Sequence, residues 1–158
     1  MKVLYAGSFD PITCGHLDLI KRCSEKFDDV VVTVFNNVAK KYMFTCEERV
    51  EFVKGAVSGL KNVTVDSSSE MVANYCRKNN IKIVIRGLRA VSDYEYELSM
   101  SAYNKFLNEN LETVFMVSSP EYSFVSSSGV KEIARYDEKF KELVPENVAE
   151  ALRKIMGR

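Results

Sequence analysis

The chain has 158 residues, 46% of them apolar and 28% charged, and its 22 basic side chains balance 22 acidic ones. That length suits one hydrophobic core, and that composition excludes an intrinsically disordered chain. Zero net charge excludes the global positive field that drives binding to nucleic acid or an anionic membrane, so any anion must be caught by a local site.

Apolar, β-branched runs recur at Lys2–Ala6, Val30–Phe35, Asn62–Val65, Ile81–Ile85 and Thr113–Val117. Short runs bounded by polar or turn residues predict five strands. Met1 to Gly7 lead straight into the first strand without a basic, apolar and cleavable leader, and no segment has the apolar length of a membrane span. No membrane association is therefore expected, and a cytoplasmic location is.

Helix signals separate the strands. Thr45 with Glu48 makes a capping-box pattern ahead of Val50, Val53 and Val57, and Ser69 is expected to cap the run Met71 to Lys78. Both helices are expected to pack on the sheet. Another helix is expected over Ser92 to Asn108, where Leu98, Ala102, Tyr103 and Phe106 recur at helical spacing. Pro145 suits the first turn of a last helix carrying Val148, Leu152 and Ile155, with Gly157 to end it.

The alternation of strand and helix predicts an α/β fold: a single Rossmann-like domain over residues 1–158, with a parallel five-stranded sheet and helices on both faces. No repeat or linker divides it. Cys14, Cys23, Cys46 and Cys76 show no CxxC spacing, which points to reduced thiols rather than a zinc or redox site.

Ligands of open α/β sheets bind beyond the carboxyl ends of the strands. After the first run comes Gly7-Ser8-Phe9-Asp10-Pro11-Ile12-Thr13-Cys14-Gly15-His16, whose glycines allow close backbone approach and whose helix start offers free N–H groups to phosphate. His16 is the only histidine. A lone histidine is by default a surface or capping residue, but a position one residue after glycine at a helix start favours phosphate contact. No G-x-x-x-x-G-K-[ST] or G-x-G-x-x-G occurs, which removes support for P-loop hydrolysis and dinucleotide binding.

After the fourth run, Arg86 and Arg89 flank Gly87 and Leu88. Two guanidinium forks at one strand end suit a polyphosphate, or equally form surface ion pairs with Asp93 or Glu95. Ser123 to Lys131 follow the fifth run, and their hydroxyls and N–H groups can wrap an anion or simply cap a helix. Lys40 and Lys41 follow the second run at the same sheet edge.

Four motifs carry a family likeness: G-S-F-D-P-x-T-x-G-H, K-K-x-M-F-T-x-E-E-R, I-R-G-L-R-A-V-x-D-Y-E-Y-E and E-Y-S-F-V-S-S-S-x-V-K-E. In this order, from Lys2 to about Ala151, they closely resemble the phosphopantetheine adenylyltransferases. The wider superfamily carries H-x-G-H, and Thr13 stands at its first histidine, as in the phosphopantetheine branch. Ser8 stands where threonine is common, and Tyr122 where tryptophan is common.

The resemblance implies transfer of AMP from ATP to 4′-phosphopantetheine, giving dephospho-coenzyme A and pyrophosphate. It implies that Ser8 and His16, the latter catalytic, contact the ATP phosphates. Lys40 and Arg86 would hold the acceptor phosphate, with Ser8 also on the acceptor, and Val72 would meet the pantetheine arm. Phe9, Gly87, Leu88, Arg89 and Glu97 would line the ATP site, closed over by Tyr122, Ser123, Phe124, Val125, Ser126, Ser127 and Ser128. It further implies Mg²⁺, coenzyme A as a ligand, and a homohexamer. Other readings are a nucleotidyltransferase acting on nicotinate mononucleotide or a small phosphate ester, and a nucleotide-sensing module without turnover.

Overall fold

Five parallel strands form one sheet in the order β3-β2-β1-β4-β5 in the computed structural model, which describes residues 1–158. The strands are β1 (Lys2–Gly7), β2 (Asp29–Phe35), β3 (Val63–Ser68), β4 (Ile83–Leu88) and β5 (Glu112–Val117). The helices are α1 (Cys14–Lys26), α2 (Cys46–Val57), α3 (Val72–Lys78), α4 (Val91–Leu107), α5 (Ser127–Ala134) and α6 (Glu146–Ile155). Single 3₁₀ segments lie at Pro120–Tyr122 and Glu138–Leu143. No helix is long and apolar enough to cross a membrane.

Alternation along the central strands builds two cores. Val3 and Tyr5 of β1 and Val30, Val32 and Val34 of β2 face α1, α2, α5 and α6. Leu4, Ala6, Val31 and Val84 face the opposite way, with Ala73, Tyr75 and Cys76 of α3 and Leu107 of α4 against them. Burial on both faces is why these strands read as unbroken apolar runs rather than as an alternating pattern. The expected single α/β domain with helices on both faces is therefore observed.

The order also positions a site. From β1 the chain proceeds outward through β2 and β3, then returns to place β4 on the other side of β1. The gap beyond the carboxyl ends of β1 and β4 is the topological switch point, where open α/β sheets bind ligands.

Several boundaries differ from expectation for local reasons. β3 runs on through Asp66, Ser67 and Ser68, because Thr33, Val34 and Phe35 of β2 pair with them and an edge strand tolerates polar side chains. β4 begins two residues late and continues through Arg86, Gly87 and Leu88, paired with Phe115, Met116 and Val117. Arg86 thus projects from inside a strand rather than from a loop. Ser69 does not cap α3. The N-cap is Met71, with no side-chain hydrogen bond.

The Thr45–Glu48 box is present in both directions, Thr45 N–H to Glu48 Oε2 at 2.8 Å and Glu48 N–H to Thr45 Oγ1 at 3.2 Å. Such a cap is worth about 1 kcal/mol. At the end of α6, Gly157 takes φ 73°. The N–H groups of Gly157 and Arg158 then reach the carbonyls of Lys154 and Arg153, closing the last turn.

The apolar stripe of α4 does not pack on the sheet. Leu98, Tyr103 and Phe106 are 48%, 60% and 84% exposed, and Glu97 is the buried residue of this helix. The inward side carries Glu97, Met100, Ser101 and Asn104 because it walls a cavity rather than a core.

Candidate active site

Residues 7–16 form the floor of the switch point. Thr13 is the N-cap of α1, and His16, three residues on, closes a reciprocal cap with it. The Thr13 N–H donates to His16 Nδ1 at 3.0 Å, and the His16 N–H donates to Thr13 Oγ1 at 3.3 Å. A backbone N–H cannot accept, so Nδ1 carries the lone pair and the neutral ring bears its proton on Nε2.

Burial, with Arg89 and Arg86 nearby, pushes the His16 pKa down to about 4. His16 therefore works as a neutral single donor. Phe9 sets the ring edge-on at 5.2 Å between centroids. Phe9 itself is 2% exposed and takes φ 48°, a left-handed conformation that costs a non-glycine residue about 1–2 kcal/mol. Gly7 makes this possible: a Cβ there would lie 2.9 Å from the Phe9 ring. A side chain at Gly7, which also lines both cavities, would have to displace the Phe9 ring. A Cβ at Gly87 would lie 2.5 Å from Leu19 Cδ1, so a side chain there would displace that methyl group.

A second network anchors the loop that carries Lys40. Asp10, 6% exposed, accepts from the N–H groups of Met43 at 2.9 Å and Phe44 at 3.0 Å and pairs with Lys131 at 3.1 Å. Arg49 is fully buried. It donates to the carbonyls of Ser8 at 2.9 Å, Phe44 at 3.2 Å and Thr45 at 3.3 Å, and to the Asn36 side chain. Its guanidinium lies 3.9 Å over the Tyr42 ring. One guanidinium thus ties the β1–α1 loop, the end of β2 and the start of α2 together. Every oxygen it meets is uncharged, so its positive charge persists beneath the loop.

Arg86 is held as a fork by Glu97, with Nε to Oε2 at 2.8 Å and Nη2 to Oε1 at 2.7 Å, while Nη1 donates to the Ala6 carbonyl at 2.6 Å. The expected free fork is therefore already engaged. One N–H on each terminal nitrogen is left for a ligand. Arg89 pairs with Asp93 at 3.4 Å and donates to the Val125 carbonyl at 3.0 Å, joining the end of β4 to the start of α5.

Two cavities open here. The larger, of about 470 Å³, is walled by Ser8, Phe9, His16, Lys40, Arg86, Gly87, Arg89, Glu97, Val125, Ser126, Ser127 and Ser128 among the expected residues. The smaller, of about 170 Å³, is walled by Val72, Phe35, Val84 and Met100 together with Ser8, Lys40, Arg86 and Glu97. The two meet at Ser8, Lys40 and Arg86.

Leu88, Tyr122, Ser123 and Phe124 lie on neither wall. Tyr122 packs against the larger core, and its Cβ would be 3.5 Å from a Cβ at Gly15, so its ring is not an open platform for a base. Phe124 is 68% exposed. Cys14, though inside the floor segment, turns its thiol to the Glu142 carbonyl at 3.8 Å and lines neither cavity.

The larger cavity also takes in Tyr5, Leu19, Tyr42 and Ser118, which sequence reasoning missed, and Asp10, Thr13, Lys41 and Lys131, which lie in the segments read as phosphate-suited but were given no role there. The D-P and V-K-E elements of the quoted motifs already contained Asp10 and Lys131. Asp10, Asp93 and Glu97 are each paired with a cation, leaving Lys40 and Lys41 as the cleft's cations without an ion pair. The first turns of α1 and α5 also point into it, with Ser126 Oγ capping the Gly129 N–H at 3.0 Å. Free lysines and two helix starts make an anion-attracting cleft on a chain of zero net charge.

No three histidine, cysteine or acidic side chains gather into a metal cage. The three cleft carboxylates are already engaged, so the chain offers Mg²⁺ no ready set of its own ligands. The arrangement suits an anion where the two cavities adjoin. The family model described as cytidylyltransferase-like matches residues 4–133. That span takes in the sheet apart from Lys2 and Val3 of β1, the floor segment, both cavities and the start of α5, and the chain belongs to this family of nucleotidyltransferases.

Proposed function

We propose that this nucleotidyltransferase moves AMP from ATP to 4′-phosphopantetheine, giving dephospho-coenzyme A and pyrophosphate. The observation that carries the reading is the meeting of the two cavities at Ser8, Lys40 and Arg86. The larger is polar and suits a triphosphate. The smaller has an apolar wall of Phe35, Val72, Val84 and Met100, suited to an uncharged flexible arm that ends in a phosphate. A sensing module without turnover has no use for the second cavity.

The acceptor phosphate oxygen attacks the α-phosphorus of ATP, the new P–O bond forms, and the bond to pyrophosphate breaks with its electrons leaving on pyrophosphate. The nucleophile is already an anion, so no general base is needed, and catalysis is positioning plus charge stabilisation. In this reading Lys40 and the two remaining Arg86 N–H groups offset repulsion between the phosphates. The Nε2–H of His16 and the first turn of α1 donate to the α-phosphate as its charge grows. Mg²⁺ arrives on the triphosphate as part of the substrate. Coenzyme A would compete for the same cavities, and the exposed stripe of α4 would be covered in a homohexamer in the cytoplasm.

ATP labelled at the α-phosphorus, offered with 4′-phosphopantetheine or nicotinate mononucleotide, and CTP offered with glycerol 3-phosphate, test the choice of substrate. Label in dephospho-coenzyme A alone supports the proposal. Label on nicotinate mononucleotide, or turnover of CTP alone, replaces the substrate and keeps the family.

A further inference from the structure

Tyr5 lies in β1 and is 4% exposed. Its ring packs on Phe9, with centroids 5.8 Å apart, and its hydroxyl lies 4.0 Å from where a Gly87 Cβ would stand. Alternation puts it with Val3 on the face of α1 and α5, and it lines the larger cavity but not the smaller.

Its hydroxyl has no hydrogen-bond partner within the chain, unlike the two other tyrosines tied into loops and helices nearby. Tyr75 donates to Asp66 at 2.7 Å, and Tyr42 accepts from the Asn37 N–H at 2.9 Å. A phenol this buried ordinarily finds a partner. The oxygen is not among the sealed, unpartnered polar atoms, of which Thr33 Oγ1 is the one example. It opens instead to the cleft. Burial pushes its pKa above the ordinary tyrosine value, Arg86 and Arg89 pulling the other way, so it stays a neutral O–H at working pH.

We propose that the Tyr5 hydroxyl is a hydrogen-bonding partner of the nucleotide in the larger cavity, a binding residue on the ATP side only. The inference rests on the nucleotide-transfer reading above. Tyr5 would serve that reading by orienting ATP in the larger cavity, beside Gly87.

Tyr5→Phe removes the oxygen and keeps the ring. The test compares ATP affinity by calorimetry, KM for each substrate, and Tm without ligand, in wild type and variant. ATP is expected to bind roughly 2- to 10-fold more weakly, the value of one neutral hydrogen bond. KM for 4′-phosphopantetheine and the ligand-free Tm are expected to stay as they were. Equal ATP affinity in both proteins would overturn the inference and leave the function standing. A lower ligand-free Tm alongside weaker binding would assign the hydroxyl to the fold and overturn it too. Wild type that binds no ATP at all would remove the nucleotide reading itself, a distinguishable failure.

Discussion

The backbone N–H of Thr13 donates to Nδ1 of His16 at 3.0 Å, and this one bond fixes which imidazole nitrogen faces the cleft. A cap that begins a helix thereby also sets a tautomer. Because His16 is the only histidine, its ionisation can be followed without overlap.

NMR titration of that single imidazole is expected to show the Nε2–H tautomer and a pKa of about 4. The sign for stability follows. In the folded chain the pKa lies below the unfolded value of 6.5, so between those pH values only the unfolded chain takes up the proton. The contribution is intact above about pH 6.5 and is lost as pH falls towards 4. His16→Ala should remove this acid sensitivity, and should lower kcat by about 10²–10³ with the fold intact, the scale for one preorganised donor. Near-normal kcat would contradict the role.

Arg49 is expected to act on the reaction through Lys40. Arg49→Lys keeps the charge but cannot reach the Ser8, Phe44 and Thr45 carbonyls and Asn36 together. It should cost about 2 kcal/mol of stability and raise KM for the acceptor several-fold more than KM for ATP. Combined with Lys40→Ala, the effects on acceptor KM should be strongly non-additive. Additive effects would show that Arg49 serves only the fold.

Alkylation of Cys14 should be slow and unaffected by ATP. Burial pushes its thiol pKa up, and the sulfur faces the Glu142 carbonyl rather than either cavity. Mass spectrometry of the alkylated chain with and without ATP checks this, and protection by ATP would contradict it.

The exposed stripe of α4 should be an interface. Phe106, 84% exposed, is the most exposed apolar side chain of the stripe. Phe106→Glu is expected to reduce the mass measured by light scattering from that of an assembly towards that of one chain. An unassembled wild type would refute this.

These elements show why some of the molecule was legible in its sequence. Local rules sufficed where chemistry is local: the Thr45–Glu48 box, Gly157 after α6 and the apolar runs of β1 and β2 all rest on neighbouring residues. They failed where a neighbour in space decides. Helical spacing identified the stripe of Leu98 and Phe106, but the same spacing serves a face turned to the sheet or away from it. Arg86 was recognised as a phosphate-suited residue, yet its engagement by Glu97 depends on how α4 crosses β4. Arg49 reads as one more charge on a helix, and its burial exists only because the β1–α1 loop and both ends of the β2–α2 loop converge on it.

The most direct measurement is pyrophosphate release from ATP and Mg²⁺ with and without 4′-phosphopantetheine. Release that requires 4′-phosphopantetheine and matches the dephospho-coenzyme A formed, mole for mole, is the predicted result. ATP bound in the cleft with no pyrophosphate released in the presence of that acceptor would contradict the account.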